Sequence, residues 1–271
     1  MAMIDLTSTG ANGTPSNFDV VLRTPITLAT TPDTQWTVAL IQATYWNSIR
    51  NIRASFGNNV LKYSADAGTT IKSITIPDGY YQIKQLNKFI QAEVAANGDN
   101  LPGNLPPIAI LMNGATIRVV ITVAAGYQVG WNGPTDQLAA LLGFDPTAAG
   151  GIIDGGANGI AYEGDLPPDI NRGAEKLRFL CNLVQNSWSN GVQSKILYTT
   201  TLKDIPGSVV DIDPPTPKYL NIGRSGNATI DMINIRVVDT KGREVDFNGF
   251  PVSLTLHFMP ADLGTPLYPS K

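Results

Sequence analysis

The chain has one histidine, His257, and one cysteine, Cys181, and these are the first residues to test for chemistry. Hydrolytic triads and zinc sites need histidine at a defined place beside a nucleophile or further ligands. A lone His with a lone Cys cannot complete a structural zinc site, so a Cys–His nucleophile–base pair is the one arrangement left to them. Their neighbours argue against it. Cys181 stands among Phe179, Leu180 and Leu183, the setting of a buried, inert thiol. His257 falls on the polar side of the alternating run Val252–Phe258, where an ordinary surface or interface residue is expected.

Carboxylate pairs need no histidine, since two of them facing across a cleft suffice for glycoside hydrolysis. Asp211 and Asp213 would share one face of a strand and could hold a cation weakly. Pro214-Pro215 follows at once, and the segment reads as a rigid loop with solvated carboxylates. The run Asp154–Gly159 (DGGANG) lacks the ligand spacing and the distal Glu of a calcium loop. Neither that run nor Gly223-Arg224-Ser225-Gly226 carries the Lys-Ser/Thr of a phosphate loop. Trp131, between Gly130 and Asn132-Gly133, and Trp188, between Ser187 and Ser189-Asn190, sit in loop-like surroundings. Each suits a sugar platform, an anchor in a subunit interface, or a Trp tucked under its own loop. No catalytic residue, cofactor site or metal ligand emerges, and the chain is expected not to be an enzyme.

Composition points the same way. Charged residues are 15% of the 271, against about 25% in an average domain. Depletion of charge marks the centres of protein–protein interfaces, although a surface of Asn, Ser, Thr and Gly would give the same figure. The net charge is −3 with no basic run, so a direct nucleic-acid partner is not expected. A single cysteine allows no internal disulfide. Met1 to Asn17 holds neither the basic start nor the apolar stretch of a signal peptide, and no later stretch is long enough to span a bilayer. A reducing, cytoplasm-like place of synthesis is expected.

The elements that would carry these residues read mainly as strands. Trp36, Val38 and Leu40 share one face of a long strand, with Ala39, Ile41, Ala43 and Tyr45 on the other. Ile52–Phe56 and Val60–Tyr63 flank Gly57-Asn58-Asn59 as a hairpin would, and Thr70–Ile76 follows. Asn113-Gly114 signals a two-residue hairpin before the alternation of Ile117, Val119, Ile121 and Val123. Helix is expected mainly at 82–97, where Ile83, Leu86, Ile90 and Val94 fall at helical spacing, and at 135–143. Residues 148–168 read as one long glycine-rich loop. With 26 Gly and 19 Pro the chain suits many turns without reaching the composition of a disordered protein. The pattern predicts an all-β antiparallel sandwich, with a jelly roll as leading architecture, one inserted amphipathic helix and long loops. Residues 1–17 are expected to form a polar N-terminal arm that folding can spare, and 18–271 a single domain.

Four segments together resemble a known family. They are Trp36–Ser48 (WTVALIQATYWNS), Ile74–Ile90 (ITIPDGYYQIKQLNKFI), Leu141–Phe144 (LLGF) and Asp239–Phe258 (DTKGREVDFNGFPVSLTLHF). Their order resembles the penton, or minor capsid, proteins of Polinton-like viruses and virophages. The resemblance implies a single jelly roll, five copies of which form a homopentamer at the vertex of an icosahedral double-stranded DNA virus particle. It implies double-jelly-roll major capsid protein as the surrounding partner and the virion as location. It carries over no catalytic residue. The alternative from another class is a carbohydrate-binding or receptor-binding jelly roll using Trp131 or Trp188.

Overall fold

The computed structural model describes residues 1–28, 35–171, 176–185, 187–189, 191–202, 206–222 and 228–261. The chain divides into two compact units. Met1–Ile49 and Gly173–Lys271 form one, and Arg50–Arg172 forms the other.

The first unit is built on eight main strands: β1 (Ala2–Thr7), β2 (Asn17–Leu28), β3 (Gln35–Trp46), β4 (Lys176–Cys181), β5 (Ile196–Thr201), β6 (Val209–Ile212), β7 (Ala228–Val238) and β8 (Val252–Ala261). One sheet runs β1-β8-β3-β6 and the other β5-β4-β7-β2, all pairings antiparallel. Thus β1 pairs β8, β2 pairs β7, β3 pairs β6 and β4 pairs β5. The chain is one long hairpin folded back on itself, with successive rungs assigned alternately to two sheets. That is a jelly roll. Alternation drives it: Val252, Leu254, Leu256 and Phe258 of β8 and Phe18, Ile233 and Ile235 of β2 and β7 enter one core, each at 2% exposure or less.

Two expectations fail here. Residues 1–17 are not a spare arm: β1 is an edge strand of the sandwich, and its Leu6 is 1% exposed. The apolar residues of β1 are few, but β8 offers them a ladder and a core to enter. In β3 the face assignment also slips. Leu256 pairs Leu40 while Thr255 pairs Gln42, so Ile41 is an extra residue on β3. This bulge moves Ala43 and Tyr45 onto the same core face as Val38 and Leu40.

The second unit is the insertion between β3 and β4 in chain order, and it has a core that shares no residue with the first. Strands Ile152–Asp154, Gln128–Gly130, Val60–Ser64 and Lys72–Thr75 form one sheet; Ile160–Glu163, Arg118–Val123 and Ile108–Asn113 form another. Helix α1 (Ile83–Ala96) starts on a reciprocal capping box between Gln82 and Gln85 and buries Ile83, Leu86, Ile90 and Val94. Helix α2 (Gln137–Leu142) is capped by Asp136, whose carboxylate accepts from the Leu138 and Ala139 amides, and is closed by Gly143 at φ +84°.

The single domain over 18–271 therefore gives way to one jelly roll with a separately cored insertion. Local readings shift as well. Ala54–Phe56 is a turn of 3₁₀ helix ended by left-handed Gly57, and Val60–Ser64 pairs with Lys72–Thr75 instead. Asn113 pairs Arg118, so that hairpin loop holds four residues, and Ile117 is left-handed and exposed. Residues 148–168 contain two short strands where one loop was expected.

Candidate functional site

The residues singled out for chemistry are dispersed. Cys181 points from β4 into the jelly-roll core at 1% exposure, and burial pushes its thiol up to about 11, out of nucleophile range. His257 is on β8 in the other sheet, turned away from the core that its neighbours Leu256 and Phe258 enter. Its Nδ1 lies 2.8 Å from the Tyr219 hydroxyl. A sheet therefore separates thiol from imidazole, and they form no nucleophile–base pair.

Asp211 lies on edge strand β6 and accepts a hydrogen bond from the Thr44 hydroxyl at 2.6 Å. Among the described residues no three His, Cys, Asp or Glu side chains gather as a metal would require. Asp154 opens the DGGANG turn by accepting from the Gly156 amide at 2.9 Å and from Gln128 at 3.1 Å. A Cβ on Gly155 would meet the Ala124 carbonyl oxygen at 2.0 Å, so glycine is there for close backbone approach. Residues 223–226 and the Trp188 side chain lie outside the described residues.

Trp131 is no sugar platform. It is 7% exposed and packs on Phe144, ring centroids 5.5 Å apart, with Phe144 stacked in turn on Tyr162. Its edge contributes to a cleft of about 500 Å³ in the insertion, with Lys62, Tyr63, Ile71, Pro134 and Ile152 also on the wall. Among the described residues Lys62 is the one charged side chain lining it. Below it, Tyr63 donates to Asp99 at 2.6 Å, Lys72 bonds both Asp99 oxygens at 2.7 Å, and Asn97 donates to the Tyr63 hydroxyl at 2.8 Å. Burial, then the Asp99 hydrogen bond, push the Tyr63 hydroxyl up to about 12. For Asp99 burial pulls upward, but the Lys72 and Tyr63 hydrogen bonds and the Lys72 charge prevail and hold the carboxyl below its usual range. These bonds tie residues just past α1 to two strands of the sheet and so clamp the end of the helix there.

What the jelly roll offers outward is surface. The outer face of the β1-β8-β3-β6 sheet is a polar ladder: Thr255 donates to Asp5 at 2.7 Å, and Ser253 meets Thr7 at 3.3 Å. At one end Trp46 and Phe250 stack in the open, centroids 5.3 Å apart and planes 18° apart, beside exposed Val209, the ladder partner of Trp46. The sequence reading missed this aromatic pair. A Trp ending a strand and a Phe framed by Gly249 and Pro251 was the available signal.

No protein-family model and no curated protein matches the chain. Among solved structures it matches the crystal structure of a selenomethionine-labelled mavirus penton protein, at 11% sequence identity. The match covers 96% of this chain and 99% of that one, with a TM-score of 0.48. This chain is an all-β jelly roll with an insertion. Among the described residues no helix is long and apolar enough to cross a membrane.

Proposed function

We propose that the chain is a structural capsid subunit that stands at the vertex of an icosahedral double-stranded DNA virus particle. In this reading it forms a homopentamer and is bordered by double-jelly-roll major capsid protein.

The observation that carries the reading is where the four penton-like segments fall. Trp36–Ser48 includes all of β3 but its first residue and Asp239–Phe258 includes most of β8, and these are hydrogen-bonded neighbours in one sheet of the jelly roll. Ile74–Ile90 enters α1, and Leu141–Phe144 is the glycine-closed end of α2. Each segment is a folded element with a buried face rather than a chance string, and their order along the chain is that of the family they resemble. Jelly rolls host many functions, so the fold alone would not choose among them.

The sugar-binding alternative loses the platform it assigned to Trp131, which is packed inside the insertion. Exposed Trp46, Phe250 and Val209 give the jelly roll an apolar contact surface of the kind subunit interfaces use. A ring requires each copy to present two different surfaces to its two neighbours, and it closes at one number only. Native mass spectrometry of the chain, with imaging of particles that contain it, tests this. Pentamers, or five-fold density at the vertex, support the reading. A monomer found at no five-fold position, and binding glycans on an array, overturns it.

A further inference from the structure

In an antiparallel pair, residues alternate between those that exchange both hydrogen bonds with the partner and those whose N–H and C=O point the other way. The Ser8 amide donates to the Val252 carbonyl at 2.9 Å, and the register continues as Leu6↔Leu254, Ile4↔Leu256 and Ala2↔Phe258. The even-numbered residues of β1 are therefore bonded to β8. The N–H and C=O groups of Met3, Asp5 and Thr7 point away from it. Among the described residues no strand pairs with that side of β1.

The core is unfinished at the same edge. Leu6 is fully buried, but Ala2 and Ile4, on the same inner face, pack against the core only in part. Met3 is 66% exposed on the outer face. Elsewhere an exposed edge is covered: in the insertion, Asn87 of α1 accepts from the Ile110 amide at 2.7 Å and Gln91 donates to the Ile108 carbonyl at 3.1 Å, so the helix caps that strand. Among the described residues nothing comparable caps β1.

We propose that the free side of β1 is an acceptor site for strand addition, and that its occupant is an extended segment of another protein, apolar on one face with Lys or Arg opposite Asp5. The backbone groups of Met3, Asp5 and Thr7 supply the rungs, and the occupant's apolar side chains cover Ile4 and Ala2. Asp5 sets the charge. Its carboxylate takes one hydrogen bond from Thr255 and keeps lone pairs for a cation on the incoming strand. Asp5 also argues against a second copy of β1. Two-fold antiparallel pairing through these residues sets Asp5 against Asp5, and sliding past that clash sacrifices a rung. The site stands or falls independently of the capsid reading.

The test titrates the ¹⁵N-labelled full chain with an acetylated Val-Thr-Val-Lys-Val-Thr-Val peptide and with its Glu-for-Lys counterpart. The Lys peptide is expected to slow amide exchange at Met3, Asp5 and Thr7, leaving Ile4 and Leu6, already bonded to β8, unchanged. It should bind about tenfold tighter than the Glu peptide, and Asp5→Lys should invert that preference. Met3→Pro removes one outward amide without touching the β8 ladder, so it should weaken binding with the melting temperature unchanged. The proposal is overturned if neither peptide protects these amides, if protection falls elsewhere, or if Asp5→Lys leaves the preference as it was. A dimer of the free chain that Met3→Pro abolishes would also overturn it, by making a second copy the occupant.

Discussion

The jelly roll and the insertion solve the same problem by different means. In the jelly roll, strands up to 12 residues long are brought together from opposite ends of the chain: β1 and β8 pair across about 250 positions, Ala2 with Phe258. Its order comes from apolar alternation repeated on both sheets. In the insertion the strands have six residues or fewer, and order comes from caps and clamps. Asp136 and Gly143 bound α2, the Gln82–Gln85 box starts α1, and the Lys72–Asp99–Tyr63 network ties its end to the sheet. Long-range pairing therefore tolerates polar exchange on its outer face, whereas the insertion depends on single residues at single places.

The largest test of that contrast replaces a core residue of the jelly roll. Leu256→Asp puts an unpaired charge at a position with no solvent exposure and should cost more than about 3 kcal/mol. Thr255→Asp, on the outer face beside Asp5, should cost under about 1 kcal/mol. Because the cores share no residue, hydrogen exchange in Leu256→Asp should show lost protection in β3 and β8 with α1 still protected. Equal loss in α1 would show that the two units unfold as one.

The insertion's dependence on single residues is tested at Gly143. A Cβ there would stand 2.1 Å from the Leu166 carbonyl oxygen, at a backbone angle of φ +84° that other residues resist. Gly143→Ala should cost about 2–3 kcal/mol in urea unfolding, read in the insertion first. A loss below about 0.5 kcal/mol would mean that the Leu166 segment simply moves aside.

The clamp gives a pH signature. The Tyr63 hydroxyl is held up to about 12 in the fold, against about 10 in an unfolded chain. A raised folded value means the stabilisation is complete below pH 10 and is lost as the pH rises toward 12. The insertion should weaken by about 2 kcal/mol across that window. Tyr63→Phe, which has no hydroxyl to ionise, should show a flatter profile there, as followed by far-ultraviolet circular dichroism. Asp99 works at the other end: its folded value is depressed, so its contribution is present above the usual carboxylate range and fades as acid protonates it.

The same contrast explains what could be read in advance. β8 and α1 were legible because each shows one periodicity over a long enough stretch, Val252–Phe258 at two and Ile83–Val94 at helical spacing. β3 was half legible: its apolar residues are plain, but the bulge at Ile41 is set by pairing with β8, which no local pattern reveals. Alternation at Val119, Ile121 and Val123 says that a face is buried without saying against which core, so the insertion was merged with the sandwich. The polar run after Leu6 hid β1, whose order is supplied by β8. For the site, the separation of Cys181 from His257 was readable from their neighbours, apolar around the thiol and alternating around the imidazole. The Trp46–Phe250 stack was not, because the two residues meet only after the fold closes.

The smallest expected effect is a gain, and it lies where the insertion departs from local preference. Ile117 has φ +56° and is 65% exposed at the end of the four-residue loop that joins Ile108–Asn113 to Arg118–Val123. A β-branched side chain in the left-handed region crowds its own backbone, while exposure leaves little burial to offset that cost. The conformation is imposed by the loop, whose Ile117 amide donates to the Asn113 carbonyl at 2.9 Å while Asn113 and Thr116 both reach Glu163. Asparagine accepts this conformation more readily, so Ile117→Asn should stabilise the insertion by about 0.5–1 kcal/mol. The gain should appear in the insertion's amides and not in β3 or β8. A destabilisation of the same size would mean that the Ile117 side chain packs on its own hairpin and contributes more there than the left-handed backbone costs.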